Sequence, residues 1–383
     1  MTTVYAGTYA TRDVDAIVTR NADGLLVRKD TFVDERQAEQ APRSGRLVVA
    51  SMLDTWRWPN ACHVYSARRQ KGRPLMRMGL YARECLSFGS VSTSPIDVQE
   101  LRDDAIDASG AGFDSYWLPQ QVDVDAIMLA PYLSAAAPDL EVGIGVVPMQ
   151  SRFPVHMAQA ALTARALAPG RVTLGLGVEH DWVVRDMWGL PFDRPVTEMR
   201  EYLRVVLDLI RQGSTQHRGE FYRVSAFLAR LAPTSDLPVL LGALGPRMLA
   251  LAGSQADGTV TWLAGLEAVK THILPHLLAA AEAEGRQPPR SVVMLPIAIT
   301  DNAGRVATEI DTAFELFTKQ PSYQKVMARQ WAAAPSQVSI VGSAEFVTNQ
   351  LGGLAECGAT DFVAIPFGDR DERAHTTEAM LSR

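Results

Sequence analysis

Cysteine is scarce in this chain of 383 residues: Cys62, Cys85 and Cys357 are odd in number and lack CxxC spacing. That excludes a disulfide framework, and buried reduced thiols are the expected state. Lysine is also rare, at 5 of the 37 basic residues. After residue 75 only Lys270, Lys319 and Lys325 remain, none at an expected strand end, which makes a Schiff-base aldolase a poor fit. No stretch approaches roughly 18 consecutive apolar residues, so no membrane span is expected. The N-terminus lacks the charged-then-apolar pattern of a signal peptide, which points to a cytoplasmic protein. Positive charge is short as well, with a net charge of −6. Residues 1–75 carry 12 Lys/Arg against 8 Asp/Glu, and the remainder carries 25 against 35, or −10. A −10 body offers no footprint for nucleic acid. No GxSxG elbow, papain-like cysteine context or HxH strand pair occurs, so nucleophilic and metal-assisted hydrolysis are poorly supported.

What is present is concentrated between Pro238 and Trp262, in PVLLGALGPRMLALAGSQADGTVTW. The apolar run Val239–Leu241 breaks at Gly242 and Gly245-Pro246; a helix-compatible stretch follows, then a β-branched run at Thr259–Thr261. Strand, glycine turn, helix, strand is the order of an ordinary βαβ crossover. It also places bare backbone N–H groups at a helix N-terminus, which suits a phosphate. The turn alone does not choose between these readings.

Residues 1–75 resist a structural reading. They are expected to be either a poorly ordered extension or sequence ahead of a start assigned too far upstream, the second being preferred. The barrel-like domain is expected over 76–383. From Met78 onward strand-like runs alternate with helical ones. The strands are expected at Met78–Ala82, Ser115–Leu118, Glu141–Val147, Arg171–Leu176, Val239–Leu241, Thr259–Trp262, Val292–Thr300 and Phe362–Ile365. Helices are expected near 98–110, 126–136, 155–168, 197–211, 247–253, 267–284, 303–318 and 344–356. This alternation reads as an α/β fold, a (β/α)8 TIM barrel. A doubly wound sheet is the alternative, but GxGxxG after the first strand is absent.

In such a barrel the active site lies where strands end and helices begin. The segment from Gly177 to Pro195 is long for a connection on that face and rich in Trp, His and Met, as expected of a ligand cover. His180 falls just past the fourth strand, where an imidazole could move a proton near neutral pH; a histidine satisfied within loop packing is the alternative. His272 and His276 have i,i+4 spacing but are expected on a helix away from that rim. Arg152 and Arg247 could meet anionic groups, or be ordinary exposed arginines. Met149, Met187 and Trp188 could floor a flat ring, or be core. Gly143 and Gly145 sit inside a buried strand, where glycine is costly unless something needs the room; close approach of a ligand would explain them.

The landmarks VGIGVVPMQSRFPVHMAQAALTARALAPGRVTLGLG (Val142–Gly177), HDWVVRDMWGLPFDRPVTEMREYL (His180–Leu203) and GALGPRMLALAGSQADGTVTW occur in order. The segment from Met78 to Gly368 thereby resembles the bacterial luciferase-like family, and most closely its branch using the deazaflavin coenzyme F420. The resemblance implies a non-prolyl cis peptide behind the cofactor ring at Gly145-Val146, with Val146-Val147 as the alternative. It implies a phosphate on Gly242, Ala243, Leu244, Gly245, Pro246, Arg247 and Met248, and a ring flanked by Gly177–His180 and Gln120. It further implies a hydride-transferring oxidoreductase with a small-molecule substrate, His180 as proton donor and a homodimeric assembly. Relatives that dehydrogenate alcohols carry an Asp-His pair after the second strand; Pro119-Gln120 stands there in this chain. An FMN-dependent monooxygenase of the same fold and a non-catalytic flavin- or deazaflavin-binding protein are the alternatives.

Overall fold

The computed structural model describes residues 76–82, 95–120, 124–228 and 230–382. The chain divides into two units, Met1–Cys62 and His63–Arg383. Of residues 1–75 only two short antiparallel pairs are described, Ile17–Arg20 with Leu26–Lys29 and Arg69–Gln70 with Arg73–Pro74. The extension expected there, with Cys62 and Cys85, otherwise lies outside the described residues; Cys357 is a free, half-buried thiol.

Eight parallel strands close on themselves: β1 (Arg77–Tyr81), β2 (Ser115–Leu118), β3 (Glu141–Pro148), β4 (Val172–Gly177), β5 (Val239–Gly242), β6 (Gly258–Trp262), β7 (Arg290–Ile299) and β8 (Asp361–Pro366). Each pairs with its sequence neighbours, and β8 returns to β1 with Asp361 opposite Arg77. Strands covered on both sides should read as unbroken apolar runs. In β4 and β8 every residue is buried. The surrounding helices include α1 (Val98–Ala111), α2 (Ala126–Ala136), α3 (Pro154–Leu167), α4 (Pro195–Gln212), α5 (Pro246–Gln255), α6 (Leu274–Ala283), α7 (Ala303–Ala313), α8 (Ala344–Cys357) and α9 (Arg370–Leu381). Asp97 caps α1 by accepting from the Gln99 N–H at 2.8 Å, and Gly112 ends it at φ 101°. Among the described residues no helix is long and apolar enough to cross a membrane.

Three local expectations change. The single helix expected over 303–318 stops at Ala313, because Phe314 turns into an aromatic cluster, and resumes as Glu315–Thr318 and Pro321–Ala328. The helix expected over 267–284 contains a π turn, Val269–Ile273, ahead of Pro275, which has no N–H to offer the regular ladder. A hairpin, Ser214–Arg218 with Arg223–Phe227, follows α4. Its polar, largely exposed residues gave no strand signal; the Glu201 carboxylate organises its turn by accepting from the N–H groups of Glu220, Phe221 and Tyr222 at 2.9 to 3.0 Å.

The barrel floor is charged. Arg77, Glu141, Arg290 and Asp361 begin β1, β3, β7 and β8 and meet beneath the interior. Arg290 grips Asp361 with Nη2 to Oδ1 at 2.6 Å and Nε to Oδ2 at 2.9 Å, and its Nη1 donates to Glu141 Oε1 at 2.7 Å. Arg77 Nη1 holds the other Glu141 oxygen at 2.7 Å, and the Thr173 hydroxyl donates to Glu141 at 2.6 Å. Above them lies Trp117, its ring 5.6 Å from the Arg290 guanidinium carbon and its Nε1–H donating to Ser115 Oγ at 2.9 Å. The bareness of Gly143 serves this indole. A Cβ on Gly143 would lie 2.4 Å from Trp117 Cδ2, and one on Gly145 would lie 2.8 Å from Met294 Cε. Interior packing therefore accounts for Gly143, where a close ligand was expected; at Gly145 the nearest atom is the movable end of the Met294 side chain.

Burial alone would raise the Glu141 carboxyl, but Arg290, Arg77 and Thr173 outweigh it and hold it at about 2. A depressed carboxyl stabilises the fold above its unfolded value near 4.5, and that contribution is lost as pH falls toward 2. Glu141→Gln is expected to lower stability at pH 7 by about 3 kcal/mol, because Asp361 alone then faces the Arg77 and Arg290 guanidinium groups and one positive charge is left uncompensated. Urea melts from pH 7 down to 2.5 should show a shallower acid limb for the variant than for the parent; parallel curves would remove Glu141 as the source. Gly143→Ala is expected to cost about 1–3 kcal/mol in the same melts by pressing on Trp117.

Candidate active site

The C-terminal ends of the strands form the opposite face. At the end of β3 the peptide bond Gly145-Val146 is cis, and the pairing with β4 slips between Ile144 and Val147. The bulge drives the Val146 side chain sideways onto the neighbouring strands. A Cβ on Gly175 or Gly177 would come within 2.9 or 2.3 Å of its methyls, and one on Gly242 within 3.4 Å. The bareness of Gly177 is thus required by a valine from β3, whereas the contact at Gly242 is ordinary packing.

The β5–α5 turn is shaped by four facts. Gly245 is the N-cap, with φ −90° and ψ 151°, and Pro246 occupies the first helical turn. Ala243 is buried and its N–H is spent on the Val260 carbonyl at 3.3 Å. The first backbone bond into α5 is Leu249 N–H to the Gly245 carbonyl at 2.9 Å, so among the described residues the N–H groups of Leu244, Gly245, Arg247 and Met248 have no main-chain acceptor. Gly245, Pro246 and Arg247 are exposed, a Cβ on Gly245 would meet nothing within 4 Å, and among the described residues Arg247 has no ion-pair partner. Unspent donors at the positive end of a helix, beside a spare guanidinium, are the donor set an anion needs.

His180 lies past β4. Its backbone N–H donates to Glu179 Oε1 at 2.8 Å, and the Glu179 N–H donates to Gln150 Oε1 at 3.2 Å, fixing this loop to the end of β3. The imidazole faces two rings from the segment after β7, with centroids 6.1 Å from Phe317 and 6.0 Å from Tyr323. Burial pushes its pKa below the usual 6.5, against the opposing charge of Glu179. Burial and Glu179 push the Tyr323 phenol up, so it stays an O–H donor throughout the neutral range. Trp262 continues the cluster, 5.9 Å from Phe317 and 5.5 Å from Tyr81, and among the described residues its buried Nε1–H has no hydrogen-bond partner. An orphaned indole donor beside a histidine and a phenol at a barrel mouth offers polar anchors for a flat guest.

Other expected residues are placed differently. The Gln120 amide turns to its own loop, donating to the Val124 carbonyl at 2.9 Å and accepting from the Ala126 N–H at 3.1 Å. Arg152 pairs with Asp125, the cap of α2, and so is not spare. Met149 is core while Met187 is exposed. His272 is the reverse case: expected far from the rim, it reaches the Leu244 carbonyl with Nε2 at 2.8 Å. The i,i+4 spacing fixed which helix face His272 occupies but not the end of the barrel that face meets. The sequence marks Tyr323 and Trp262 only by their aromatic side chains, a signal shared with packing residues.

A family model described as luciferase-like monooxygenase matches residues 76–361. A Mycobacterium tuberculosis protein, provisionally named a coenzyme F420-dependent oxidoreductase, is 31% identical over 169 residues, which is 41% of this chain and 48% of that one. An F420-dependent glucose-6-phosphate dehydrogenase of Kineococcus radiotolerans is 28% identical over 201 residues, 49% of this chain and 59% of that one. The chain thus spans about half the length of these relatives. A solved F420-dependent secondary alcohol dehydrogenase in complex with an F420-acetone adduct shares the fold, with a TM-score of 0.66 over 80% of this chain and 99% of that one at 16% identity. The family match runs from the residue before β1 to the first residue of β8, across seven of the eight barrel strands and the connections between them, and the chain therefore belongs to the luciferase-like monooxygenase family.

Proposed function

We propose that this protein is an oxidoreductase that uses coenzyme F420 to exchange a hydride with a small organic substrate. The observation that carries the reading is the set of unspent N–H groups at Leu244, Gly245, Arg247 and Met248, opening on the same barrel end as His180. The names of the related F420 proteins support the choice of coenzyme. In this reading the turn from Gly242 to Met248 takes the phosphate, Gly145-Val146 backs the ring, and Gly177–His180 flanks it with the rim that Gln120 shapes. When bound, the deazaflavin supplies or accepts the hydride at C5. His180 exchanges the accompanying proton: its imidazolium donates during substrate reduction, and its neutral ring accepts during oxidation. Tyr323, Phe317 and Trp262 favour a flat, largely apolar substrate held by a few polar anchors.

FMN with oxygen chemistry is the second reading. It is favoured by the −10 charge of residues 76–383, a poor match for the long anionic tail of F420. Fluorescence titration of the purified protein with each compound separates the two. Deazaflavin binding is expected; tight FMN retention with no deazaflavin binding would overturn the proposal.

His180→Ala is expected to lower turnover about 100-fold, the usual scale for a lost acid–base group, with coenzyme Kd little changed. A variant as fast as the parent removes His180 from the chemistry. Because burial lowers the His180 pKa, the imidazolium is lost as pH rises through a value below 6.5. Substrate reduction should therefore fall with pH across that range while oxidation rises. Glu179→Gln, which removes the charge favouring the imidazolium, should move both limbs to lower pH; unmoved limbs would mean that another group titrates.

A further inference from the structure

We propose that His272 is the positioning residue that aims the β5–α5 turn at the cofactor phosphate, an inference that rests on the function proposed above. His272 is only 3% exposed, and its Nε2 lies 2.8 Å from the Leu244 carbonyl oxygen. A carbonyl only accepts, so the ring nitrogen carries the hydrogen and donates. The Leu244 carbonyl belongs to the same planar trans peptide as the Gly245 N–H, and the two point in opposite directions. Pinning the oxygen inward therefore aims the N–H outward, into the space where a Cβ on Gly245 would meet nothing within 4 Å.

The turn needs such a pin. Glycine at 245 tolerates both halves of the φ range, so this peptide could rotate and present its oxygen to an incoming anion. A carbonyl in that place repels phosphate where an N–H attracts it. The imidazole is itself fixed from behind. His272 sits in the π turn Val269–Ile273, and its own carbonyl accepts the Nδ1–H of His276 at 2.8 Å, the rings 4.6 Å apart. The two histidines thus form a chain of donors running from α6 to the turn.

The test compares two ligand pairs that differ by the phosphate end: F420 against its deazaflavin riboside core, and FMN against riboflavin. Dissociation constants are measured by fluorescence for the parent, His272→Leu and His272→Gln. The parent should favour the phosphorylated member. His272→Leu should weaken that member about tenfold, the scale of one lost hydrogen bond to a charged ligand's anchor, and leave the riboside within about twofold. His272→Gln, whose amide can donate from a similar reach, should recover most of the loss. Should the leucine variant fail to fold by circular dichroism, His272→Asn, too short to reach Leu244, replaces it. A parent that binds both members alike overturns the phosphate turn and this role with it. A phosphate preference that survives His272→Leu or His272→Asn, or a loss shared equally by both members, overturns the role of His272 alone.

Discussion

One guanidinium closes the floor of this barrel. Arg290, on β7, grips Asp361 of β8 with two bonds, reaches Glu141 of β3 and Thr173 of β4, and lies against Trp117 of β2. Only a planar fork with several fixed donors can bridge so many strands at once, which a lysine ammonium cannot do. Burying four ionised groups is unfavourable in itself, and the arrangement holds because each charge is matched and hydrogen-bonded. The geometry that results is specific: the N-terminal ends of the strands must sit at the spacing the fork dictates, so strand register is set from below.

The interior above is layered on that base. Trp117 fills the middle and Gly143 makes way for it, while the top layer passes to Val146, Tyr81 and Trp262. Polarity is thereby divided along the barrel axis. Charges at the bottom are saturated by one another, whereas donors at the top, on the β5–α5 turn and the Trp262 indole, find no partner among the described residues. The division follows from closure: side chains crowd the lower interior, and the strand ends diverge into connections that can be varied without disturbing register.

Much of this was legible in the sequence. All eight barrel strands were, since strands buried on both faces read as apolar runs bounded by turn residues, and so was the glycine turn after β5. The charged floor was not. Arg77, Glu141, Arg290 and Asp361 lie as much as 284 positions apart in the chain, and each alone reads as a charge at the edge of an apolar run. The glycines of β3 were visible as anomalies, but whether a ligand or an indole fills the space beside a glycine is decided by residues from other strands. That Phe317 and Tyr323 face His180 is not readable from the sequence, because which aromatic residues meet it depends on how the segment after β7 folds back. Gln120 turns to Val124 and Ala126 in its own loop, and Arg152 turns to Asp125, 27 positions away, pairings that neither residue announces in the sequence.

The seating of Val146 against Gly175, Gly177 and Gly242 joins three strands through a single isopropyl group. Of these positions, 146 and 177 should drift through evolution as one heritable unit. A lineage that trims 146 to alanine gains licence for a side chain at 177, while one that keeps the valine is held to bare backbone there; 175 stays bare either way, since a Cβ on it would lie 2.1 Å from the Ile144 carbonyl oxygen. Diversity in this family's substrates would then have to be written elsewhere, chiefly in the segment that carries Phe317 and Tyr323.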